Sequence, residues 1–231
     1  LAQMDGADLN GTNKSYAYMF RRAPGFLDVV AYDGDGVNNR QIPHNLGVVP
    51  ELMIVKRRDS TTNWPVYLGP LSSEGDVKYT NLNGTAAAVD DVTTNFSSTF
   101  YDKLPTSSVF TVGNSTTVNN ASGTYIAYLF ATLPGVSKVG SFVGDATNGR
   151  VIDCGFTNGA RFVMMKKAST TGNWIVYDTE RGIAAGTEPY LFINTTGAEV
   201  TGTDYIDPAS SGFAVNSPLN TTDTWIFLAI A

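Results

Sequence analysis

The sequence predicts an all-β protein made of two tandem, homologous antiparallel β-sandwich-like domains. Charged residues make up only 16% of the 231 residues, against about 25% in ordinary soluble domains. Glycine occurs 23 times, and few segments carry the Ala, Leu, Glu and Lys mixture that helices favour. This composition favours strands over helices. Two further observations, an internal repeat and a series of short strands within each copy of the repeat, predict the tandem arrangement.

The repeat is clearest at residues 51–67, ELMIVKRRDSTTNWPVY, which return as residues 161–177, RFVMMKKASTTGNWIVY. Lys56 and Lys166 are 110 positions apart, and so are Trp64 and Trp174. A fixed offset over an apolar run, a basic cluster, a polar turn and an Asn-Trp pair predicts a duplication.

Each copy contains about seven short strand-like segments, separated by turn signals, in roughly 100 residues. In the first copy they include Phe26–Tyr32, Leu52–Val55, Trp64–Leu68, Tyr79–Val89, Pro105–Val112 and a closing strand at Thr124–Phe130. This pattern predicts one small sandwich or barrel for each copy. The alternative is one continuous assembly of about 14 strands in which the copies share a core.

Two segments predict more detail. Leu52–Val55 is continuously apolar, which is typical of a strand covered on both faces. Pro65 lies inside the next strand and cannot donate to a ladder, so it indicates an edge or a bulge. The second copy has Ile175 at that place, and we expect its strand to be better paired.

The chain begins with a segment that resembles the strands closing each copy. Ser15–Phe20 is followed by Pro-Gly, as Thr124–Phe130 is, again at an offset of 110. The predicted domains are therefore 1–25, a linker and the closing strand of an upstream unit, then 26–135 and 136–231 as sandwich repeats. We expect the 231 residues to be the C-terminal part of a longer chain, unless the first strand is borrowed to complete a sheet.

The net charge limits the classes of binding partner, and the cysteine count limits how the fold can be stabilised. The net charge of −6 and the pI of about 4.7 disfavour nucleic-acid binding, because an acidic surface repels phosphates. No apolar run reaches the ~20 residues of a membrane span. The single Cys154 excludes an intrachain disulfide, so stability must come from packing or oligomerisation.

No residue pattern predicts an enzyme, a metal site or a cofactor. His44 and Cys154 occupy equivalent places in different copies, so we expect a surface or turn histidine and a core cysteine that do not meet. Asp33-Gly-Asp-Gly36 lacks the further oxygen ligands of a calcium loop, which favours a tight hairpin turn.

Trp64 and Trp174 are the candidate ligand contacts. Each follows a polar turn in the same strand of its copy, where an aromatic ring can either stack on a sugar or fill a core. Both interpretations stay open, and the core is favoured.

The turn His-Asn-Leu-Gly-Val at 44–48, the strand Met-Ile-Val-Lys-Arg-Arg at 53–58 and the junction Val-Ser-Lys-Val-Gly at 136–140 resemble a known family. It is a duplicated β domain of unknown function found in tail-fibre-type and other structural proteins of tailed bacteriophages, often marine. The resemblance covers about residues 16–231 and brings no catalytic residues with it. In such chains the domain usually follows a laminin-G or concanavalin-like sandwich.

The resemblance implies a non-enzymatic virion structural or adhesion module at the C-terminal end of a tail fibre or related surface fibre. Its loops would contact host-surface glycan or protein, and it would assemble as a homotrimer with other virion proteins on the extracellular virion surface. The alternatives are a purely structural spacer, collar or decoration protein without a ligand and, third, a polysaccharide depolymerase.

Overall fold

The computed structural model describes residues 2–4, 15–91 and 98–231. Their regular structure is β-strand apart from one 3-10 turn at Gly69–Leu71. The strands in chain order are β1 (Ala2–Met4), β2 (Ser15–Ala17), β3 (Leu27–Asp33), β4 (Arg40–Pro43), β5 (Leu52–Arg57), β6 (Pro65–Leu68), β7 (Lys78–Asn81), β8 (Val89–Asp90), β9 (Val109–Val112), β10 (Thr124–Phe130), β11 (Ser137–Val143), β12 (Arg150–Asp153), β13 (Phe162–Lys167), β14 (Trp174–Asp178), β15 (Leu191–Phe192), β16 (Ile206–Ala209), β17 (Gly212–Val215) and β18 (Thr224–Ile230). The all-β prediction is confirmed.

Two large antiparallel sheets dominate the structure. The first has the order β3-β10-β5-β6-β7-β8 and the second has the order β11-β18-β13-β14-β15. We call residues 26–135 the first half of the chain and residues 136–231 the second half. In each sheet the last strand of its half, β10 or β18, lies second. It sits between the first strand of that half, β3 or β11, and the central hairpin, β5–β6 or β13–β14. The smaller sheets are β4-β9, β12-β17-β16 and β1-β2.

The two large sheets pack against each other through one central core. Residues from the first half, such as Ile54 and Val66, form a single buried cluster with residues from the second half, such as Met164, Trp174 and Leu228. The halves therefore share a core, as the continuous-assembly alternative expected.

A second layer covers the outer face of each large sheet. Phe110 and Val112 of β9 pack with Met53 and Tyr67 of the first large sheet. On the other side, sheet β12-β17-β16 packs with the second large sheet in the same way, in a cluster that includes Phe213 and Phe227. The result is a stack of four sheet layers with three apolar interiors.

This layering explains the uninterrupted apolar strands. Leu52 and Ile54 of β5 point into the central core, whereas Met53 and Val55 point into the outer core of the first half. All four are buried, so the prediction of a strand covered on both faces is confirmed.

Pro65 does not mark an edge strand, because β6 lies between β5 and β7. The proline is the first residue of β6 and pairs with Asn81 of β7, beyond the last β5–β6 pair, Ile54 with Val66. A missing N–H is harmless at that end of a strand. As expected, β14 is better paired, since its ladder with β13 extends to Ile175 and Trp174.

Side chains bond the exposed backbone of the two long edge strands. On β3, the Val29 N–H donates to Asp28 Oδ1 at 2.9 Å and Arg40 donates to the Asp33 carbonyl. On β11, the Val139 N–H donates to Thr132 Oγ1 at 3.1 Å and Arg150 donates to the Val143 carbonyl. These contacts occupy groups that would otherwise be open to pairing with another strand.

The N-terminal segment crosses onto the second half. Strand β2 pairs with β1 and not with either large sheet. The strand expected over 15–20 ends at Ala17, and the rings of Tyr18 and Phe20 then pack against Phe162 at 5.2 and 5.5 Å between ring centroids. The domain boundaries, and the origin of residues 1–25 in an upstream unit, stay predictions.

The shared core predicts cooperative unfolding. Leu228 is 1% exposed in the central core, so Leu228→Ala is expected to cost about 2 to 5 kcal/mol while unfolding stays a single transition in denaturant. Fluorescence and circular dichroism should follow the same curve. Val143→Ala is the control, because Val143 on β11 is 58% exposed, and it should change stability by less than about 0.5 kcal/mol. Two separate transitions, with only one shifted by Leu228→Ala, would contradict the shared core.

Candidate functional site

The repeated stretch builds the same polar structure in each half, which we call a ledge. The Lys56 ledge consists of Lys56, Arg58, Thr62, Asn63 and Trp64, and the Lys166 ledge consists of Lys166, Ala168, Gly172, Asn173 and Trp174. Each begins at the end of a central strand, β5 or β13, and ends where β6 or β14 begins.

Asparagine side chains fix the tryptophan strand in both ledges. The Trp64 N–H donates to Asn83 Oδ1 at 2.9 Å, and the Asn83 amide donates to Asn63 Oδ1 at 3.1 Å. In the second half, Trp174 N–H donates to Asn194 Oδ1 at 2.9 Å and Asn194 donates to Asn173 at 2.9 Å. The repeated Asn-Trp pair is therefore part of a hydrogen-bonded framework.

Among the described residues, a segment of the other half covers the Lys166 ledge but not the Lys56 ledge. The Trp174 indole N–H donates to the Asn81 carbonyl at 3.0 Å. The Lys166 ammonium and the Gly172 N–H both donate to the Thr85 carbonyl, at 3.0 and 2.9 Å, and the Ala88 N–H donates to the Ala168 carbonyl at 2.8 Å. Residues 81–88 thus lie across this ledge.

The two candidate tryptophans differ in exposure. Trp174 is completely buried in the central core. Trp64 is partly buried against the same core, with the Lys56 ammonium 5.4 Å from its ring centroid. The structure thus brings both rings to one core rather than to a common surface site. A ligand contact by either tryptophan stays a prediction, and Trp64 is the one with an accessible side chain.

Lys166 has an unusual environment for a lysine. Its side chain is completely buried, and its ammonium donates to backbone carbonyls, including Gly172 at 2.5 Å. Burial lowers the pKa of Lys166 to about 8, because the charged form is poorly solvated. Lys166 and Lys56 have similar local sequences, and the difference between them comes from residues 81–88, which cover Lys166. Sequence analysis did not identify this covering segment.

Glu188 is a second buried ionisable group that sequence analysis missed. Its Oε1 accepts the N–H groups of Tyr205 and Ile206, both at 3.0 Å. Among the described residues, Oε2 and the nearby Tyr177 hydroxyl have no hydrogen-bond partner. Burial raises the pKa of Glu188 to about 7. No local pattern marks this residue, because its burial depends on contact between the segments before and after β15.

His44 and Cys154 lie in different parts of the stack. His44 is 6% exposed, so the expectation of a surface histidine is wrong. Its Nδ1 accepts the Leu46 N–H at 3.2 Å, and its Nε2 lies 3.1 Å from the Thr106 carbonyl. Cys154 belongs to the outer core of the second half, as expected, and burial raises the pKa of its thiol to about 12.

The Asp33-Gly-Asp-Gly36 segment is not a hairpin, because it joins β3 of a large sheet to β4 of a small sheet. The Asp35 carboxylate accepts the Val37 N–H at 2.8 Å and the Asn119 amide at 3.0 Å, and it lies 3.2 Å from Arg40 Nε. Asp145, Asn220 and Arg150 repeat this arrangement in the second half. The carboxylate therefore organises the crossover between sheets.

A buried ionic cluster holds the N-terminal segment. The Tyr18 hydroxyl donates to Asp178 Oδ2 at 2.8 Å, and Arg181 contacts both groups and lies 2.9 Å from Glu199 Oε2. These residues share no motif, and Tyr18 is 160 positions from Asp178, so no local pattern marks the cluster.

Within the described residues, no group of three or more His, Cys, Asp or Glu side chains is placed to hold a metal ion. The same residues contain no helix long and apolar enough to cross a lipid bilayer.

The fold defines the class of protein: an all-β chain whose polar repeats serve the framework of stacked antiparallel sheets. The chain belongs to the family described as "Domain of unknown function (DUF7483)", whose model matches residues 6–231. Comparisons with curated proteins and with solved structures each returned no match.

The covered lysine predicts a pH dependence of stability. Because the folded state lowers the pKa of Lys166 from 10.5 to about 8, the unfolded state binds more protons between these pH values. The free energy of unfolding therefore gains a contribution that rises with pH in this window, by at most about 1.4 kcal/mol per pH unit. Lys166→Met should lack this contribution, measured as the difference from wild type in urea unfolding at pH 7.5, 8.5 and 9.5. Lys56→Met is the matched control, and an equal pH slope in the two variants would contradict the assignment.

Glu188 predicts the opposite slope at lower pH. Its pKa in the folded state, about 7, is above the ordinary value of 4.5, so its contribution to stability is present below pH 4.5 and is lost as the pH rises to 7. Glu188→Gln keeps the acceptor oxygen and removes the titration. Its stability relative to wild type should therefore increase between pH 5 and 7.5. Glu180→Gln, at an exposed site, should show no such increase; if it does, the effect does not come from burial.

Proposed function

We propose that the chain is a non-enzymatic structural or adhesion module of a phage tail fibre or related surface fibre. In this proposal its two halves are tandem repeats, and its exposed loops contact host-surface glycan or protein. The family resemblance of residues 44–48, 53–58 and 136–140 to tail-fibre-type proteins supports the virion assignment.

The duplication is supported by more than sequence offset. The two large sheets place corresponding strands in the same order. The Asn83 and Asn194 contacts to Trp64 and Trp174 have the same donors, acceptors and distances. Two unrelated halves would have no physical reason to repeat such contacts at corresponding positions.

The observation that carries the proposed function is that the repeated polar residues are engaged in the framework. Asn83, Asn119, Asn194 and Asn220 all use their side chains to hold loops or strand ends. The exposed segment 195–199 differs in sequence from its counterpart 84–88. A rigid stack with variable loops suits recognition by loops, with weak single contacts amplified by multivalency.

A homotrimer is part of this proposal. Fibre modules of this kind are commonly threefold, and repeated copies would present each loop several times. The proposed location is the extracellular surface of a virion, with other virion proteins as neighbours. Neither nucleic acid nor membrane insertion has a part in the proposed mechanism.

The second candidate is a purely structural spacer, collar or decoration protein. Side chains form hydrogen bonds with the backbone of the edge strands β3 and β11. This prevents closely packed copies from pairing through these strands, which a spacer needs as much as an adhesin does. A polysaccharide depolymerase is the third candidate, and no described contact specifically favours it.

A binding experiment separates these candidates. The full chain, displayed as a tetramer on streptavidin, is applied to an array of bacterial surface polysaccharides and to host cells. An adhesin should bind specific spots, and Trp64→Ala should weaken binding if this ring contacts the ligand, with Val143→Ala as the matched control. No binding at high valency would favour the spacer, and release of reducing ends from a bound polysaccharide would overturn the non-enzymatic assignment.

A further inference from the structure

We propose that the Lys56 ledge is a docking surface for residues 193–198 of a second copy of this chain. The contact within the chain supplies the template, since residues 81–88 lie on the equivalent Lys166 ledge. The inference does not rest on the proposed function, because it concerns only how copies of the chain meet.

The template shows what a ledge binds. Its donors are the lysine ammonium, the tryptophan indole N–H and a backbone N–H at the turn, and its ligands are main-chain carbonyls. On the Lys166 ledge these carbonyls belong to Asn81 and Thr85, at 2.9 to 3.0 Å. The ledge is therefore a receptor for an extended polypeptide segment.

The Lys56 ledge has the same donors, but two of them bond only carbonyls of their own turn. Its ammonium donates to the carbonyls of Ser60 and Thr62 at 3.0 and 3.3 Å, and the Thr62 N–H, the counterpart of the Gly172 N–H, donates to the Ser60 carbonyl at 3.1 Å. Among the described residues, Trp64 forms a hydrogen bond through its backbone N–H and none through its indole N–H. The inaccessible Thr62 hydroxyl also has no partner among them. Asn63 is exposed, whereas the equivalent Asn173 is half-buried.

The segment that matches the template ligand is found in the second half. Ile193, Asn194 and Thr196 correspond to Leu82, Asn83 and Thr85. Leu82 packs against the central core, but Ile193 is 38% exposed. Residues 195–199 are all exposed. The Lys56 ledge and the loop 193–198 are thus both exposed. They resemble, respectively, the Lys166 ledge and the segment 81–88, which bind each other within the chain.

Charge favours this pairing. In the template, the adjoining residues Ala88 and Ala168 meet through a backbone hydrogen bond of 2.8 Å. Their counterparts are Glu199 and Arg58. Arg58 is exposed and forms no ion pair among the described residues. The Glu199 carboxylate lies 2.9 Å from Arg181 Nε, but its side chain is still 40% exposed and can meet a second cation. A glutamate of one copy would therefore face an arginine of the other.

The contact uses different surfaces on the two copies, so it is heterologous and generates a ring or a filament. A single loop buries far less than the ~1,200 Å² of a stable protein interface. We therefore expect weak association in solution that becomes effective when other contacts hold the copies close together.

Disulfide trapping tests the contact directly. In the template, the Gly172 N–H bonds the Thr85 carbonyl, and the corresponding positions are Thr62 and Thr196. Because the Thr62 hydroxyl is inaccessible, its exposed neighbour Thr61 carries the thiol. Full chains carrying Thr61→Cys and Thr196→Cys are mixed and oxidised, with Thr61→Cys plus Ser210→Cys as the control pair, because Ser210 is exposed and lies outside the loop 193–198. The native Cys154 is buried in every variant.

The expected result is a cross-linked heterodimer that exceeds the control pair by about tenfold or more, because docking raises the effective concentration of the two thiols. A yield equal to the control would overturn the proposal. A chain carrying both substitutions that forms only an internal disulfide would also overturn it, because the loop would then bind its own ledge.

A charge exchange provides an independent readout. Arg58→Glu or Glu199→Lys alone should weaken association about fivefold in sedimentation experiments, and the chain carrying both should recover it. Lys103→Glu, which changes a cation outside the ledge, should have no effect. Thermal unfolding of each variant identifies any loss of structure, including that from the Glu199 contact with Arg181. Failure of the double variant to recover would contradict the pairing, whatever the binding experiments on glycans show.

Discussion

The structure depends on the apolar contact between the two large sheets. Neither half could bury both faces of its large sheet alone, because its small sheet covers only the outer face. The central faces carry residues such as Ile54 and Leu228, and separating the halves would expose them to water at about 25 cal/mol for each Å² of apolar area. This contact joins two repeated sequences around one core. It also explains how a chain with one buried cysteine is stabilised without a disulfide.

The same contact creates the main difference between the halves. Lys56 and Lys166 occupy equivalent strand positions, yet Lys166 is completely buried beneath residues 81–88 and Lys56 is not. The cost of desolvating an ammonium is offset there by carbonyl acceptors from both halves. The environment of Lys166 is therefore set by the neighbouring half rather than by its own, and burial there lowers its pKa to about 8.

Local sequence predicted the strands well because their signals are local. The apolar run Leu52–Val55 indicated burial on both faces, and its alternate side chains do enter two different cores. The prediction of an edge or a bulge at Pro65 is wrong because a proline avoids only positions that must donate to a ladder, and the end of a strand is as acceptable as an edge. The prediction of a hairpin at Asp33–Gly36 is wrong for a related reason, since turn residues do not specify whether the next strand joins the same sheet.

The site-level features could not be predicted because they depend on which surfaces meet. Glu188, Arg181 and Lys166 are buried by segments distant in sequence, and no spacing rule identifies those segments. Comparison of the repeats was still informative, because it separated framework residues from variable ones. The asparagines that fix Trp64 and Trp174 occur in both copies, whereas Arg58 and Glu199 stand where the other copy has alanines. A charged residue in one copy of a repeated contact, where the other copy has an alanine, marks a difference in what the two surfaces can meet, and it is this difference on which the proposed pairing of Arg58 with Glu199 rests.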